Sequence, residues 1–266
     1  FNNSLMNFQG HYLICLTIST LYTLGGIGFL VLIDIKQNKR WSKLTPNSKL
    51  ILSTIAILNV VAFILIWLLE ANNPLTLGAM STGEQAMNAW FQATVPRSSG
   101  FNTIDTGAME HSTALLTMLL MFIGGGSLST AGGIKVGTFV ILLLCVISFL
   151  RRNEEIRIFN HSISQETTYK ALAVAAITGM LIFVGCFTLF LLEPKLDVLD
   201  LMFEVVSAAC TVGLSRGVTG ELHDGSLFVL SLLMYTGRLG PLTLAYLIAT
   251  PKKSRLKHAN ANIQIG

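Results

Sequence analysis

Charged side chains are scarce in this sequence. Only 12% of its 266 residues are Asp, Glu, Lys or Arg, whereas 52% are hydrophobic. Because a soluble domain usually carries about 25% charged residues, this chain has too little polar surface to cover a globule in water. The composition therefore predicts a membrane protein whose main neighbour is the lipid bilayer.

The sequence also has little that would support nucleic-acid binding, zinc binding or catalysis. Its formal net charge is only +4, from 18 Lys and Arg and 14 Asp and Glu, and the charges form no basic face, so no nucleic-acid partner is expected. No Ser/His/Asp, HExxH or phosphate-binding glycine motif has a suitable context, which argues against a membrane enzyme. The cysteines form no CxxC pair and suggest neither a disulfide framework nor a zinc site; they are Cys15, Cys145, Cys186 and Cys210.

Five apolar stretches reach the roughly 20 residues that a membrane-spanning helix needs. They are residues 11–33, 50–69, 112–150, 171–192 and 227–250. The third stretch is too long for one straight crossing, and glycines interrupt its middle. We therefore expect it to form two half-helices, 112–123 and 134–150, joined by a loop.

Basic residues indicate how these spans are oriented. Most of the 18 Lys and Arg residues fall in segments 36–49, 151–170 and 252–257, which alternate with the acid-rich segments 70–110 and 193–224. Because Lys and Arg accumulate in cytoplasmic loops, we expect five crossings, an outer N-terminus and a cytoplasmic C-terminus. The basic segments are ordinary topology determinants or, alternatively, docking sites for a partner.

Both acid-rich segments contain an apolar stretch that is too short to cross a membrane, at 86–95 and 198–209. Stretches of this length are typical of re-entrant half-helices that enter and leave on one side. A run with a central glycine follows each, at 97–103 and 211–217. The fold class predicted is an all-α membrane protein with tandem repeats of helix, pore loop and helix.

The second glycine run, Thr211-Val212-Gly213-Leu214, is similar to the Thr-Val-Gly-Tyr-Gly filter of potassium channels. Such a backbone turns successive carbonyl oxygens toward an axis, where they replace the water around a monovalent cation. Together with runs 91–103 and 203–215 and the glycine-rich run 25–29, it resembles the Trk/Ktr/HKT superfamily of potassium transporters. The bacterial Ktr membrane subunit is the branch that the sequence resembles most.

The resemblance implies a pseudo-fourfold, potassium-channel-like pore made by four consecutive repeats in one subunit. The expected parts are the last helix of a second repeat with a cytoplasmic loop (1–49), a third repeat with a broken second helix (50–169), a fourth repeat (170–250) and a cytoplasmic tail (251–266). The first repeat and most of the second are missing from the sequence. The filter residues expected to bind potassium through backbone carbonyls are Ser98, Ser99, Gly100, Phe101, Thr211, Val212, Gly213 and Leu214.

The glycine-rich decapeptide 124–133 has two interpretations. It is either a close helix-packing site or an intramembrane gating loop below the filter, and the second is favoured because irregular backbone at membrane depth is tolerated where it lines a water-filled cavity. The resemblance also places a gating loop here. The expected gate residues are Gly124, Gly125, Gly126, Ser127, Ser129, Thr130, Gly132, Gly133 and Arg238.

Arg238 lies deep in the fifth predicted span, where a charge is costly, so it should face the pore or a buried acid. The helix rise places it at the depth of Gly124, and we expect it to hydrogen-bond the loop. Lys135 has two equal alternatives: it lines the pore, or it snorkels inward.

The remaining expectations come from the resemblance alone. They are a homodimer in a bacterial cell membrane, a cytosolic nucleotide-binding regulatory ring docked at 151–170 and 252–266, and transported potassium with sodium as a coupling or activating ion. A sodium- or ammonium-selective pore of the same architecture is the alternative function, because two filters alone do not decide between these ions.

Overall fold

The computed structural model describes residues 3–97, 99–152 and 155–240. Ser98, the last ten residues of the fifth predicted span and the tail 251–266 lie outside these ranges. The helices are α1 (Tyr12–Ile27), α2 (Phe29–Asn38), α3 (Pro46–Glu70), α4 (Thr82–Thr94), α5 (His111–Phe122), α6 (Val136–Leu150), α7 (Gln165–Leu192), α8 (Val198–Ala209) and α9 (Asp224–Leu239). The strands β1 (Arg157–Ile158) and β2 (His161–Ser162) form a small antiparallel hairpin between α6 and α7. The fold is otherwise helical in the described ranges, as predicted.

Capping residues set the starts of the long helices. Thr45 precedes α3, has Pro46 after it, and accepts the Ser48 N–H on its side chain at 3.3 Å. Ser164 caps α7 through the N–H of Thr167 in the same way. Side-chain oxygens at these positions satisfy N–H groups that the first turn of a helix leaves without partners. The helices α3 and α7 therefore begin at these caps, before the starts of the predicted spans 50–69 and 171–192.

The predicted span 11–33 is bent into two helices. The axes of α1 and α2 differ by 92°, and the break lies at Gly28, whose φ is 95° and ψ is 140°. Only glycine adopts this conformation readily. A β-carbon at Gly28 would also collide with the carbonyl oxygen of Ser127, so the bend and the central loop occupy adjoining space.

The predicted break of the third stretch is confirmed. α5 ends at Phe122 and α6 begins at Val136, and the two half-helices are joined by the glycine-rich segment. The two short apolar stretches are also helical: α4 contains 86–94 of the first, and α8 matches 198–209 in full.

Two helices of the described part, α3 and α7, are long and apolar enough to cross a membrane alone, and the bent pair α1–α2 is a third candidate. α7 exposes large apolar side chains along its length, including Met180, Phe183, Phe187 and Leu191. Such a continuous apolar surface is expected to face lipid. The count of five crossings and the orientation of the termini stay predictions.

The two short helices α4 and α8 lie at the centre of the molecule. Phe91 on α4 and Phe203 on α8 are both 0% exposed. They belong to one apolar cluster that also includes Met118 and Met121 of α5. The third and fourth repeats therefore share a core, and their glycine runs start from a common packed base.

A buried glutamate ties the first helix of each repeat to the third. At the end of α3, Glu70 Oε1 accepts the N–H of Glu110, the residue before α5, at 3.0 Å. At the end of α7, Glu193 Oε1 accepts the N–H of His223, the residue before α9, at 2.8 Å. Positions 110 and 223 have the same separation as the two predicted filter glycines at 100 and 213. The repeat is thus visible in a side-chain contact as well as in the helix order.

Several donors lower the pKa of Glu193. The N–H of His223 is the main cause, followed by the Ser226 hydroxyl at 2.7 Å and the His223 ring, and together they bring the pKa to about 2. The folded state therefore favours the carboxylate form. Its contribution to stability is complete above the ordinary glutamate pKa of about 4.3 and is lost as the pH falls through about 2.

We expect Glu193→Gln to lower the thermal unfolding midpoint of the detergent-solubilised protein at pH 7 and to weaken the dependence of that midpoint on acid. The amide keeps one acceptor oxygen but has no charge to lose on acidification. Thermal unfolding measured from pH 7 to pH 3 checks this, with the exposed Glu221→Gln as the matched control. Equal acid dependence in the parent and Glu193→Gln would assign the acid response to other groups.

Candidate functional site

The predicted fourth filter begins where α8 ends. The N–H groups of Thr211 and Val212 donate to the carbonyl oxygens of Ala208 and Ser207 at 3.0 and 2.9 Å, and the N–H of Gly213 donates to Ser207 Oγ at 3.1 Å. Thr211 and Gly213 have positive φ angles of 52° and 89°, so the chain turns sharply and leaves the helix. Because the N–H groups face α8, the carbonyl oxygens of the turn are left to face away from it.

The predicted third filter lies directly against the fourth. A β-carbon on Gly100, whose φ is +64°, would lie 2.9 Å from the carbonyl oxygen of Val212 and 3.3 Å from that of Gly213. A β-carbon on Gly213 would lie 3.5 Å from the Cα atom of Gly100. The carbonyl oxygens of Val212 and Gly213 therefore lie against the glycine of the third turn, and a side chain on Gly100 would require the neighbouring turn to move.

The other predicted filter residues flank these glycines. Ser99 Oγ donates to the carbonyl oxygen of Val95 at 3.2 Å, which ties the third turn to the end of its own pore helix. Phe101 is 44% exposed, whereas Leu214 is buried in the shared core. Ser98 lies outside the described residues.

Glu204 on α8 accepts hydrogen bonds from residues that follow the fourth turn. The sequence did not predict this role. Its carboxylate is buried and accepts the hydroxyl of Thr219 at 3.0 Å and the hydroxyl of Ser215 on its other oxygen. A buried carboxylate with two hydroxyl donors anchors the segment that leaves the filter. An acid in the middle of a short apolar helix was the available sequence signal.

Buried polar groups also surround the third turn. Arg97, the residue before the turn, is 8% exposed, and its Nε and Nη2 atoms have no hydrogen-bond partner among the described residues. Gln92 on α4 is 1% exposed, and its amide likewise has no partner in the described part of the chain. Such groups are costly in an apolar interior, so their presence near the turn is typical of a functional site.

Backbone hydrogen bonds close the neck of the glycine-rich loop. The N–H of Gly124 donates to Ile134 O at 2.8 Å, the N–H of Ile134 donates to Phe122 O at 3.0 Å, and the N–H of Val136 donates to Gly125 O at 2.9 Å. These bonds join the two half-helices at membrane depth. The loop therefore leaves and re-enters the broken helix at adjacent points, and backbone hydrogen bonds join these two points.

The loop fills the space between the α1–α2 bend and the fourth turn. The N–H of Gly126 donates to Gly26 O at 2.7 Å, and a β-carbon on Gly125 would lie 2.6 Å from that same oxygen. On the opposite side, a β-carbon on Gly132 would collide with the carbonyl oxygen of Cys210, the residue before the fourth turn. These glycines therefore allow close packing on both sides. The geometry places the loop against the filter run, and its role as a gate stays a prediction.

The remaining loop residues contribute local contacts. Ser129 Oγ accepts the N–H of Ala131 at 3.4 Å, and the carbonyl oxygen of Ser127 lies against Gly28. Gly133 has a φ of +65°, and a β-carbon there would lie 2.7 Å from Phe122 O. A side chain would thus disturb the neck of the loop at this position.

Arg238 reaches the loop, as its depth in the sequence predicts. Its Nη1 atom donates to the carbonyl oxygen of Thr130 at 2.8 Å. In the described part of the chain Arg238 makes no ion pair with an acid. The contact therefore agrees with an arginine directed toward the loop and not toward a buried carboxylate.

Lys135 also belongs to this loop. Its Nζ atom donates to the carbonyl oxygen of Ala131, so it turns back to the loop and does not snorkel along α6. Lys135, Arg238 and the loop line one cavity of about 810 Å³ together with parts of α1, α2 and α9. Two basic side chains therefore line the same space beside the loop.

A mainly helical apolar chain with two short buried helices, each followed by a glycine turn that meets the other, belongs to the class of membrane pore proteins. Residues 40–257 match the family described as TrkH, cation transport protein. The chain therefore belongs to this family.

Two curated relatives and one solved structure are similar to the chain. It is 38% identical to the Ktr system potassium uptake protein B of Bacillus subtilis over 99% of this chain and 59% of the relative. It is 35% identical to the potassium/sodium uptake protein NtpJ of Enterococcus hirae over 99% of this chain and 60% of the relative. The crystal structure of the potassium transporter TrkH from Vibrio parahaemolyticus superposes with a TM-score of 0.78 at 20% identity, covering 94% of this chain and 54% of that one. The chain thus spans about three fifths of the length of the curated relatives.

We expect Gly100→Ser and Gly213→Ser to reduce the preference of the cation flux for potassium over sodium. In the first variant a β-carbon meets the Val212 carbonyl oxygen at 2.9 Å, and in the second it is forced onto a backbone with φ +89°. Flux of potassium, rubidium and sodium by the protein expressed from its complete coding sequence measures the preference. Gly220→Ser is the control, because nothing lies within 4 Å of its β-carbon.

Unchanged ion preference in both filter variants, with normal amounts in the membrane, would reject the assignment of these glycines to the selective part of the pore.

Proposed function

We propose that this chain forms the third and fourth repeats, and the end of the second, of a transporter for potassium uptake across the cell membrane. The observation that carries the proposal is the meeting of the two glycine turns, with the carbonyl oxygens of Val212 and Gly213 directed toward Gly100. Carbonyl oxygens from several repeats around one axis can replace the hydration shell of potassium. The names of the relatives support the same ion.

In this proposal, the backbone carbonyls of Ser98, Ser99, Gly100 and Phe101 form the third side of the filter. Those of Thr211, Val212, Gly213 and Leu214 form the fourth. No side-chain charge is needed, because the carbonyl dipoles supply the negative field for the ion. Glycine matters because its positive φ lets neighbouring carbonyls face one axis at close approach.

The loop 124–133 acts as the gate of this pathway. It lies against Cys210 below the fourth turn, and Arg238 donates to its Thr130 carbonyl. The guanidinium adds a positive charge that opposes a passing cation and holds the loop through a directional hydrogen bond. Opening then requires the loop to leave its contacts with the α1–α2 bend.

A regulatory partner and a second subunit complete the proposed assembly. The name "Ktr system" belongs to relatives that are one component of several, which supports a cytosolic partner, proposed to be a nucleotide-binding ring. The hairpin segment 151–170 carries exposed basic residues at the loop between α6 and α7 and offers one docking site. The tail 252–266, the second proposed site, lies outside the described residues. A homodimer with cytoplasmic C-termini is proposed for the membrane part.

Sodium is the second candidate for the transported or coupling ion. The relative from Enterococcus hirae carries both ions in its name. The two described turns keep a glycine at the centre, a feature that does not by itself separate potassium from sodium. A pore with equal flux of both ions would favour this alternative.

We expect the protein, expressed from its complete coding sequence, to restore growth of a potassium-uptake-deficient bacterium at low external potassium. Rubidium uptake into the same cells should exceed sodium uptake, because the carbonyl field is matched to the larger ion. Cells with the empty vector supply the baseline. Growth restored by sodium alone, or uptake of ammonium in preference to rubidium, would replace potassium by the alternative ion.

We expect Arg238→Gln to conduct faster than the parent and to depend less on a cytosolic regulator. The change removes the positive charge and replaces the five N–H donors of the guanidinium, of which Nη1 donates to Thr130 O, with the two of an amide. Flux per molecule in the membrane is the measurement. Lys36→Gln, which removes an exposed positive charge on α2, is the control. Flux at or below that of the parent would count against Arg238 as part of the gate.

A further inference from the structure

The two glycine turns are also connected at the ends that lead away from their pore helices. Arg216, three residues after Gly213, reaches from the fourth repeat to the segment that follows the third turn. Its Nη1 atom donates to Thr106 O at 2.8 Å and to Met109 O at 3.4 Å, and its Nη2 atom donates to Gly107 O at 3.0 Å. One side chain therefore binds three carbonyl oxygens of the neighbouring repeat.

Arg216 is held in this position by its own repeat. Its Nε atom donates to Asp200 Oδ1 at 2.5 Å, and Asp200 lies in the first turn of α8. The side chain of Arg216 is 7% exposed and that of Asp200 is 23% exposed. Because this ion pair is largely buried, dissolved salt screens its attraction far less than that of a surface pair. The planar guanidinium also carries enough N–H donors, in a fixed arrangement, to bind all four acceptors at once.

Two more contacts bring the same segments together. The hydroxyl of Thr106 donates to the carbonyl oxygen of Ser215. A β-carbon on Gly107 would lie 2.8 Å from the carbonyl oxygen of Arg216, so the two backbones approach closely. The segment 106–109 of the third repeat and residues 215–216 of the fourth are thus joined by side-chain and backbone groups from both sides.

This connection bears on the filter because the fourth turn contains a strained residue. Thr211 carries a β-carbon and has a φ of 52°, and such a segment keeps its shape only when the surrounding structure holds it. The turn is tied to α8 at its start through Ser207 and at its end through Glu204, and both ties lie within the fourth repeat. Arg216 adds a tie to the other repeat at the far end of the turn.

We propose that Arg216 is a positioning residue for ion selection, which sets the spacing of the third and fourth filter turns from one another. The ion preference of carbonyl oxygens depends on how the oxygens of different repeats are arranged around the ion. Removal of the Arg216 side chain leaves each turn attached to its own pore helix, and it leaves the hydrogen bond from Thr106 to Ser215 O to hold these two segments together. The proposal rests on the proposed function, because the measured property is selectivity among transported cations.

The first test compares Arg216→Met, Arg216→Lys and Asp200→Asn in the protein expressed from its complete coding sequence. The lysine keeps the charge for Asp200 and loses the fork for the three carbonyls, whereas the methionine loses both. We expect the preference for rubidium over sodium to fall roughly tenfold in Arg216→Met, as for loss of a charge-assisted hydrogen bond. Arg216→Lys should fall between this variant and the parent, and Asp200→Asn should show the smallest change.

Lys195→Met is the matched control, since it removes an exposed positive charge from the loop between α7 and α8. A purely structural role for Arg216 would lower the amount of protein in the membrane and leave the ion ratio of the surviving molecules unchanged, and this outcome overturns the proposal. If neither Arg216 variant reaches the membrane, an unchanged ion ratio in Asp200→Asn overturns it and a reduced ratio supports it.

A second readout separates this inference from the proposed function. Amide hydrogen exchange of residues 106–109 and 213–217 should accelerate in Arg216→Met and stay at the parent rate in Lys195→Met. This measurement needs no transported ion. Faster exchange in a protein that shows no potassium preference would reject the proposed function and keep the contact, whereas unchanged exchange would reject the role of Arg216.

Discussion

Backbone polar groups that leave a helix inside a membrane must find partners within the protein, and the architecture of this chain follows from that constraint. The N–H groups of the fourth turn are satisfied by the end of α8, and the neck of the central loop is closed by bonds between Gly124, Ile134 and Val136. With the N–H groups paired toward protein, the carbonyl oxygens of the turn are left facing away from α8. In the proposed function, these carbonyl oxygens are the groups that bind the cation.

The two repeats contain equivalent contacts between a glutamate and a backbone N–H group. In each, a glutamate at the end of the first helix accepts the N–H before the third helix, as Glu70 does for Glu110 and Glu193 for His223. The negative charge lies at a helix N-terminus, where the helix dipole favours it. These contacts fix the frame that surrounds the short pore helices. The two repeats differ in that the helix after the first glycine turn is broken into α5 and α6 by the glycine-rich segment.

Close approach of backbones determines where glycine is required in this protein. Gly28 permits the 92° bend between α1 and α2, and the central loop packs into that bend through the Gly126 N–H and the Ser127 carbonyl. Gly132 allows the other side of the loop to touch Cys210. The loop is therefore packed between the bend and the predicted filter run, and this packing supports its proposed role as a gate.

The sequence by itself determined the membrane class, the two short pore helices, the break in the third apolar stretch and the glycines of the turns, because these depend on local hydrophobicity, length and backbone freedom. It also predicted that Arg238 would reach the loop, since helix rise alone sets the depth of a residue. Only the tertiary structure decided the sharp bend at Gly28, the buried contacts of Glu193 and Glu204, and the reach of Arg216 across two repeats. These depend on residues distant in the chain meeting in space, and a pattern of residue types along one segment carries no information about its partner.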